Sequence, residues 1–330
     1  MIRVAINGFG RIGRVFMRVA ASRPDIEVVA INDLADVDTL AHLLKYDSTH
    51  RRFPGSVDVS NNKLVVNGIS ISVYAAKDPA QLPWKELNVD VVIESTGKYT
   101  DKVGAEKHIQ AGAKKVIVSA PAKDADVKTV VLGVNEHILD DSDVVISNAS
   151  CTTNNVAPML KLIDDLFGVE DAFITTVHSY TNDQNIQDAP HKDLRRARAA
   201  ANSIIPTTTG AAKAVGAIFP HLEGKLGGAG IRVPVIDGSL TDLTCVVRKD
   251  ADVDAVNRAF KQAAEGLFKG ILEYTEDPVV SVDVIGNPHS CLFDAQLTSV
   301  LGRMVKVVGW YDNEMGYSNR LADLVSKICS

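Results

Sequence analysis

The sequence has no hydrophobic run approaching the ~18–20 residues that a membrane-spanning helix needs. It has only four cysteines, Cys151, Cys245, Cys291 and Cys329. They are widely spaced and form no C-x-x-C pair or Cys/His ligand spacing, which argues against structural zinc and against a disulfide scaffold. No metal is expected, and a reducing, cytoplasmic setting is the simplest expectation. There is no excess of positive charge either. The formal net charge is −6, so neither nucleic acid nor an acidic membrane surface is an expected partner. The first residues read at once as a strand rather than as a secretory leader. Internal repeats and low-complexity segments are missing. What remains, at 46% hydrophobic and 23% charged residues, is the make-up of a soluble globular protein. At 330 residues it is too long for one ordinary core, so two domains are expected.

The chain opens with a dinucleotide fingerprint. Ile2 to Asn7 is an apolar run of the kind found in a buried parallel strand. Gly8-Phe9-Gly10-Arg11-Ile12-Gly13 follows, then a helical pattern over Arg14 to Ser22. A second buried strand, Ile26 to Ile31, ends at Asn32-Asp33. A lone G-x-G-x-x-G is weak evidence. Here a strand precedes it, a helix follows it, and Asp33 lies twenty residues beyond Gly13, where a carboxylate can accept from a ribose hydroxyl.

Further along, Ser56 to Tyr74 alternates around Asn61-Asn62 and Asn67-Gly68, as antiparallel hairpins do. Val89 to Glu94, Lys115 to Ser119 and Val144 to Ser147 read as further buried strands, with a helix over Asp101 to Gln110. Beyond that point the pattern changes. Long strands over Asp171 to His178, Arg232 to Asp237, Leu240 to Arg248 and Met304 to Tyr311 alternate with helices over Val156 to Phe167, Gly210 to Ala217 and Val253 to Gly266. The expected fold class is α/β. A Rossmann-type parallel-sheet domain spans residues 1–150, and an α+β domain with a mixed or antiparallel sheet spans 151–315. An amphipathic helix over 316–330 is expected to pack back on the first domain. The irregular, polar stretch from Ser179 to Ser203 carries Arg195, Arg196 and Arg198 and is long enough to be functional or an interface element.

The chemistry centres on Ser150-Cys151-Thr152-Thr153-Asn154-Asn155. A strand leads in and a helix leads out, so the thiol falls in a first helical turn with Ser150 as N-cap. Unpaired backbone N–H groups and the helix dipole favour thiolate over thiol there, and the same groups can hold an oxyanion. An inert buried cysteine is the bland alternative. His178 ends a strand, where ligands sit in open α/β architectures, and is the candidate base. His50, His108, His137, His191, His221 and His289 are assigned to loops or surface helices, and His42 to packing. Thr181 and Asp183 follow His178 closely. Pro206-Thr207-Thr208-Thr209-Gly210 opens a helix and reads as an anion site or an ordinary N-cap. Arg232, in an apolar strand, must meet an anion, either a protein carboxylate or a phosphate. Asn313, in Trp310-Tyr311-Asp312-Asn313-Glu314, can offer an amide to a nicotinamide carboxamide. A hydride acceptor beside a thiol that attacks carbonyls suggests aldehyde oxidation through a thioester.

Taken together, these segments resemble the phosphorylating glyceraldehyde-3-phosphate dehydrogenases. The likeness runs the length of the chain and is sharpest at residues 5–14, 147–154, 191–196, 208–213 and 310–314. It implies Cys151 as nucleophile and His178 as base. It implies NAD contacts from Gly8, Gly10, Arg11, Ile12, Gly13, Asp33, Lys77, Ser119 and Asn313. Thr181, Arg196 and Arg232 would bind phosphate groups, and Ser150, Thr152, Thr209 and Gly210 would form the inorganic phosphate site. The implied partners are glyceraldehyde 3-phosphate and inorganic phosphate, in a homotetramer. Three positions depart from the family's habit: Asn155 in place of a second cysteine, Lys77 in place of arginine, and the small pair Ala189-Pro190 beside the expected adenosine ribose. Two relatives remain as alternatives at this point, erythrose-4-phosphate dehydrogenase and an NADP-preferring anabolic enzyme. From another class, the alternative is an NAD-binding redox sensor without turnover.

Overall fold

A computed structural model describes residues 1–329. Two compact units emerge. One comprises residues 1–130, 136–149 and the C-terminal helix from Ser318. The other comprises residues 131–135 and 150–317.

The first unit is built on a nine-stranded sheet. Its strand order runs Lys128–Thr129, Val145–Ser147, Lys115–Val118, Val91–Glu94, Ile2–Asn7, Ile26–Asn32, Ile69–Tyr74, Lys63–Val66, Val57–Ser60. The first seven are mutually parallel and the last two are added antiparallel, through the hairpins at Asn61-Asn62 and Asn67-Gly68. The alternating run from Ser56 to Tyr74 is therefore a meander on the sheet's edge. Ile6 lies level with Ile31 on one side and Ile93 on the other, and all three are fully buried. Each such side chain contributes roughly 1.5–3 kcal/mol of transfer free energy, and both faces of these central strands are covered, which explains their unbroken apolar runs.

One expectation fails in this unit. His108 is not on a surface helix: it is 0% exposed. Trp84 Nε1–H donates to His108 Nδ1 at 3.0 Å, so the ring proton sits on Nε2, which lies 3.0 Å from Glu94 Oε2. Asn7 Nδ2 donates to the same carboxylate oxygen at 2.5 Å, and Asn32 Nδ2 donates to Asn7 Oδ1 at 2.7 Å. The helix Lys102–Gln110 looks polar in sequence, yet its one buried polar side chain, His108, has both ring nitrogens paired inside the protein. Such a buried network is tolerated only when every member is paired. Here it ties together the carboxyl ends of three neighbouring strands.

The second unit carries an eight-stranded mixed sheet, and its main path is Ile205–Thr207, Leu226–Val233, Val169–Ser179, Ser239–Val247, Met304–Tyr311, Cys291–Asp294, Leu272–Thr275. The helix Cys151–Phe167 packs on Ser239–Val247 and Met304–Tyr311. The strand expected over Arg232 to Asp237 is displaced. It runs Leu226–Val233, and residues beyond Pro234 turn. Gly227-Gly228-Ala229-Gly230 hid its first half, since glycine carries no strand signal. Gly227 and Gly228 are glycine because their neighbours come close: an added Cβ would lie 2.6 Å from the Phe173 ring or 3.0 Å from Ala212 Cβ. The correction matters. It places Arg232 opposite His178 in the parallel register.

Candidate active site

In the first unit the parallel strands all end on one edge, and the residues implied in cofactor binding follow those ends: Gly8, Asp33, Lys77 and Ser119. Gly8 has φ +91°, and a Cβ there would lie 2.7 Å from the Thr96 nitrogen. A Cβ on Gly13 would lie 2.3 Å from the Gly8 carbonyl oxygen. Gly10, by contrast, opens onto free space and caps the helix Arg11–Ala20 with no side-chain acceptor for its first N–H groups. A tight turn, a close helix–strand crossing and an uncapped helix start together make a pyrophosphate cradle. Asp33 Oδ2 accepts from Phe9 N–H at 2.7 Å, and Oδ1 accepts from Ala35 N–H at 3.0 Å, which holds the carboxylate at the cradle's rim. These residues fit NAD. The Arg11 guanidinium is turned away to a two-pronged pair with Asp47. Burial would raise the Asp47 carboxyl, but this pair and the His50 and Thr49 N–H groups hold it down at about 2. What Arg11 and Ile12 can offer a pyrophosphate is therefore backbone N–H. Lys77 is exposed, with its carbonyl accepting from Tyr99 Oη at 2.8 Å, and Ser119 N–H donates to the Glu94 carbonyl at 3.0 Å. Replacing Gly8 by alanine is expected to cost at least about 2 kcal/mol, from the forced backbone and the Thr96 clash. Urea unfolding and NAD calorimetry on that variant check it: stability near wild type would contradict the close approach.

In the second unit Ser150 caps the helix Cys151–Phe167, accepting from Thr153 N–H at 3.1 Å. Ala149 before it takes φ +55°, a turn that points the strand-to-helix junction at Cys151. Cys151 Sγ lies 3.5 Å from His178 Nε2. Ser179 O, which can only accept, lies 2.8 Å from His178 Nδ1 and 3.0 Å from Arg232 Nη1. With the ring proton on Nδ1, donated to Ser179 O, the Nε2 lone pair faces the sulfur. Arg232 Nη1 also lies 2.9 Å from Nδ1. Burial pushes the Cys151 thiol up to about 11, against the pull of the Arg232 charge and the Thr152 N–H. Burial and then Arg232 push His178 down to about 4. The helix start favours the thiolate and burial opposes it. A proton leaving sulfur has an acceptor at 3.5 Å.

The residues implied for phosphate divide. Arg196 and Arg232 both act electrostatically on His178, as does Asp183. Arg196 pairs with Asp183 and donates from Nε to Thr207 Oγ1 at 3.0 Å, and Thr181 Oγ1 also donates to Asp183. Asp183 is thus the stand-in anion of this cluster. Gly210 begins the helix Ala211–Ile218 and opens onto free space, while Thr209 Oγ1 accepts from Ala211 N–H at 3.2 Å. The Thr152 hydroxyl bonds Tyr311 Oη at 2.9 Å and also favours the Cys151 thiolate. Tyr311 was not singled out from sequence. Its hydroxyl also meets Thr176 Oγ1 at 2.9 Å, and its ring stands edge-on to His178, with centroids 5.9 Å apart. It braces the base against the nucleophile's helix. Only the pairing of its strand with Ser239–Val247 reveals this, and such pairing is not written in local sequence. Asn155, at the position where a second cysteine is usual, donates to the Ser290 and Trp310 carbonyls, each at 3.2 Å.

Residues 2–102 match the family model described as glyceraldehyde 3-phosphate dehydrogenase, NAD binding domain, and residues 150–313 match the model for the C-terminal domain. The chain belongs to the glyceraldehyde-3-phosphate dehydrogenase family. It is 57% identical over 331 residues to the glyceraldehyde-3-phosphate dehydrogenase of Geobacillus stearothermophilus, covering 100% of this chain and 98% of that one. It is 59% identical to that of Thermotoga maritima, with 98% of each chain covered, and 58% identical to glyceraldehyde-3-phosphate dehydrogenase 2 of Streptomyces avermitilis, with 98% and 97% covered. As a glyceraldehyde-3-phosphate dehydrogenase family member it is an NAD-dependent oxidoreductase, α/β in fold, with a parallel-rich sheet in the cofactor domain and a mixed sheet in the other. Among the described residues no helix is long and apolar enough to cross a membrane.

Proposed function

We propose that this chain oxidises glyceraldehyde 3-phosphate with NAD and inorganic phosphate to 1,3-bisphosphoglycerate, with Cys151 as nucleophile and His178 as base. The observation that carries the reading is the 3.5 Å approach of Cys151 Sγ to His178 Nε2, with Nδ1 anchored on Ser179 O beside Arg232. Sγ bonds the aldehyde carbon as its proton passes to Nε2 and from there to the carbonyl oxygen, giving a thiohemiacetal and leaving Nε2 free again. The helix-start N–H groups face the oxygen that carries developing charge. Bound NAD supplies the hydride acceptor, held by Gly8, Gly10, Arg11, Ile12, Gly13, Asp33, Lys77, Ser119 and Asn313. His178 takes the hydroxyl proton in the oxidation, and the acyl group is left on sulfur as a thioester. A phosphate oxygen then bonds the acyl carbon, the carbon–sulfur bond breaks, and sulfur leaves as the thiolate. A sulfur atom suits both halves, first as nucleophile and then as leaving group. Thr181, Arg196 and Arg232 hold phosphate groups, and Ser150, Thr152, Thr209 and Gly210 hold the inorganic phosphate, Thr152 through its N–H.

We assign the chain to the cytoplasm and to a homotetramer. Exposed Ile186, Leu194 and Ile204 in the segment 180–204 support the second assignment, since apolar side chains of this size gain by being covered. The deciding assay measures NADH formation from glyceraldehyde 3-phosphate with and without phosphate, and again with NADP. Strong dependence on phosphate and on NAD is expected. Steady turnover without phosphate points to an erythrose-4-phosphate dehydrogenase instead, and an NADP preference points to the anabolic relative.

A further inference from the structure

We infer that Ser179 and Ser239 are positioning residues: together they lock the Asn313 amide so that its Nδ2–H donors, and not its oxygen, are presented to the carboxamide oxygen of nicotinamide. This rests on the proposed contact between Asn313 and the cofactor, and adds what sets its polarity. Ser179 Oγ donates to Asn313 Oδ1 at 2.9 Å and Ser239 Oγ donates to the same oxygen at 2.7 Å. The three residues are 0%, 1% and 6% exposed. An amide oxygen has two lone pairs, and both are filled. Ser239 Oγ in turn accepts from Ser179 N–H at 3.1 Å. A flipped amide would aim its NH2 at these hydroxyls and leave their protons without an acceptor in a buried place, which is unfavourable. Nδ2 has no protein acceptor among the described residues, so the lock spends the oxygen and keeps the donors.

The backbone delivers both serines for this purpose. Ser179 is the last residue of Val169–Ser179, and its carbonyl anchors His178 and Arg232, so its two ends serve the base and the amide separately. Ser239 pairs with Tyr311, two residues before Asn313, and follows a turn in which Gly238 has φ +83°. A Cβ on Gly238 would lie 2.1 Å from the Ser281 carbonyl oxygen, so the turn holds Ser239 at one position.

Calorimetric binding of three probes to the full chain tests the inference: NAD, ADP-ribose, which lacks the nicotinamide ring, and the 3-acetylpyridine analogue of NAD, which keeps a carbonyl acceptor but has no amide protons. Ser179→Ala with Ser239→Ala is expected to weaken NAD about tenfold, the combined worth of two neutral hydrogen bonds, and to leave ADP-ribose unchanged. Wild-type protein is expected to bind the acetylpyridine analogue nearly as well as NAD. An equal loss for ADP-ribose would show a merely structural role, and no loss for NAD would show no lock. Poor wild-type binding of the acetylpyridine analogue would show the opposite polarity. Each of these overturns the inference. If the double variant does not fold, Ser239→Ala alone carries the test, with an expected loss of about threefold for NAD only. Asn313→Ala separates the underlying reading: if it leaves NAD affinity intact, Asn313 does not meet nicotinamide and the inference falls with it. If it weakens NAD while the serine variants do not, only the inference falls.

Discussion

Cys151→Ser is expected to reduce dehydrogenase turnover by about 10⁴-fold or more while NAD still binds. The argument is chemical. A serine hydroxyl at this position ionises far less readily than the thiol, and burial already holds the thiol itself up at about 11. The first turn of the helix Cys151–Phe167 and the Arg232 charge would have to stabilise an alkoxide, and His178, held down at about 4, is a poor acceptor for an alcohol proton. An oxygen ester formed there would also be a weaker acyl donor to phosphate than the thioester. In the proposed reading NAD is held by the glycine cradle around Gly8, Gly10 and Gly13, far along the chain from the substitution, so its binding is expected to persist in calorimetry. Substantial NADH formation by the serine variant would remove Cys151 from the role of nucleophile.

Much of what each unit contributes is legible in the sequence because its parts are local. The fingerprint turn, Asp33 and the capped helix at Cys151 each depend on residues within one βαβ unit or one helical turn, so spacing alone finds them. What escapes is made by strand pairing. Arg232 meets His178 because two parallel strands place them level, and the strand that does so begins in glycines. Tyr311 and Ser239 reach the site because they pair across antiparallel strands. His108 was misplaced for a related reason: a histidine on a polar-looking helix gives no sign that Glu94 and Trp84, on other elements, will enclose it. The burial that opposes the thiolate is equally hidden, since a helix start can be read locally and burial cannot.

Replacing His178 by asparagine separates these effects. The chemical step is expected to slow by about 10²–10⁴-fold, the usual worth of a general base. Asparagine keeps a polar group of similar size against the Tyr311 ring but supplies no basic nitrogen at 3.5 Å from sulfur. The sign of the pH effect follows. In the native chain the proton leaving Sγ passes to Nε2 and the charges that form stay adjacent, so the thiol reacts below the pH at which burial alone would let it ionise. Without the imidazole the proton must go to solvent, and the thiolate must stand against burial with Arg232 and the Thr152 N–H and hydroxyl in its favour. Alkylation by iodoacetamide in the variant is therefore expected to be at least about tenfold slower near neutral pH, one unit of pKa being tenfold in thiolate. Its pH profile is expected to lie to the alkaline side of the native one. Superimposable profiles for the two proteins would show that the sulfur does not depend on His178 for its proton.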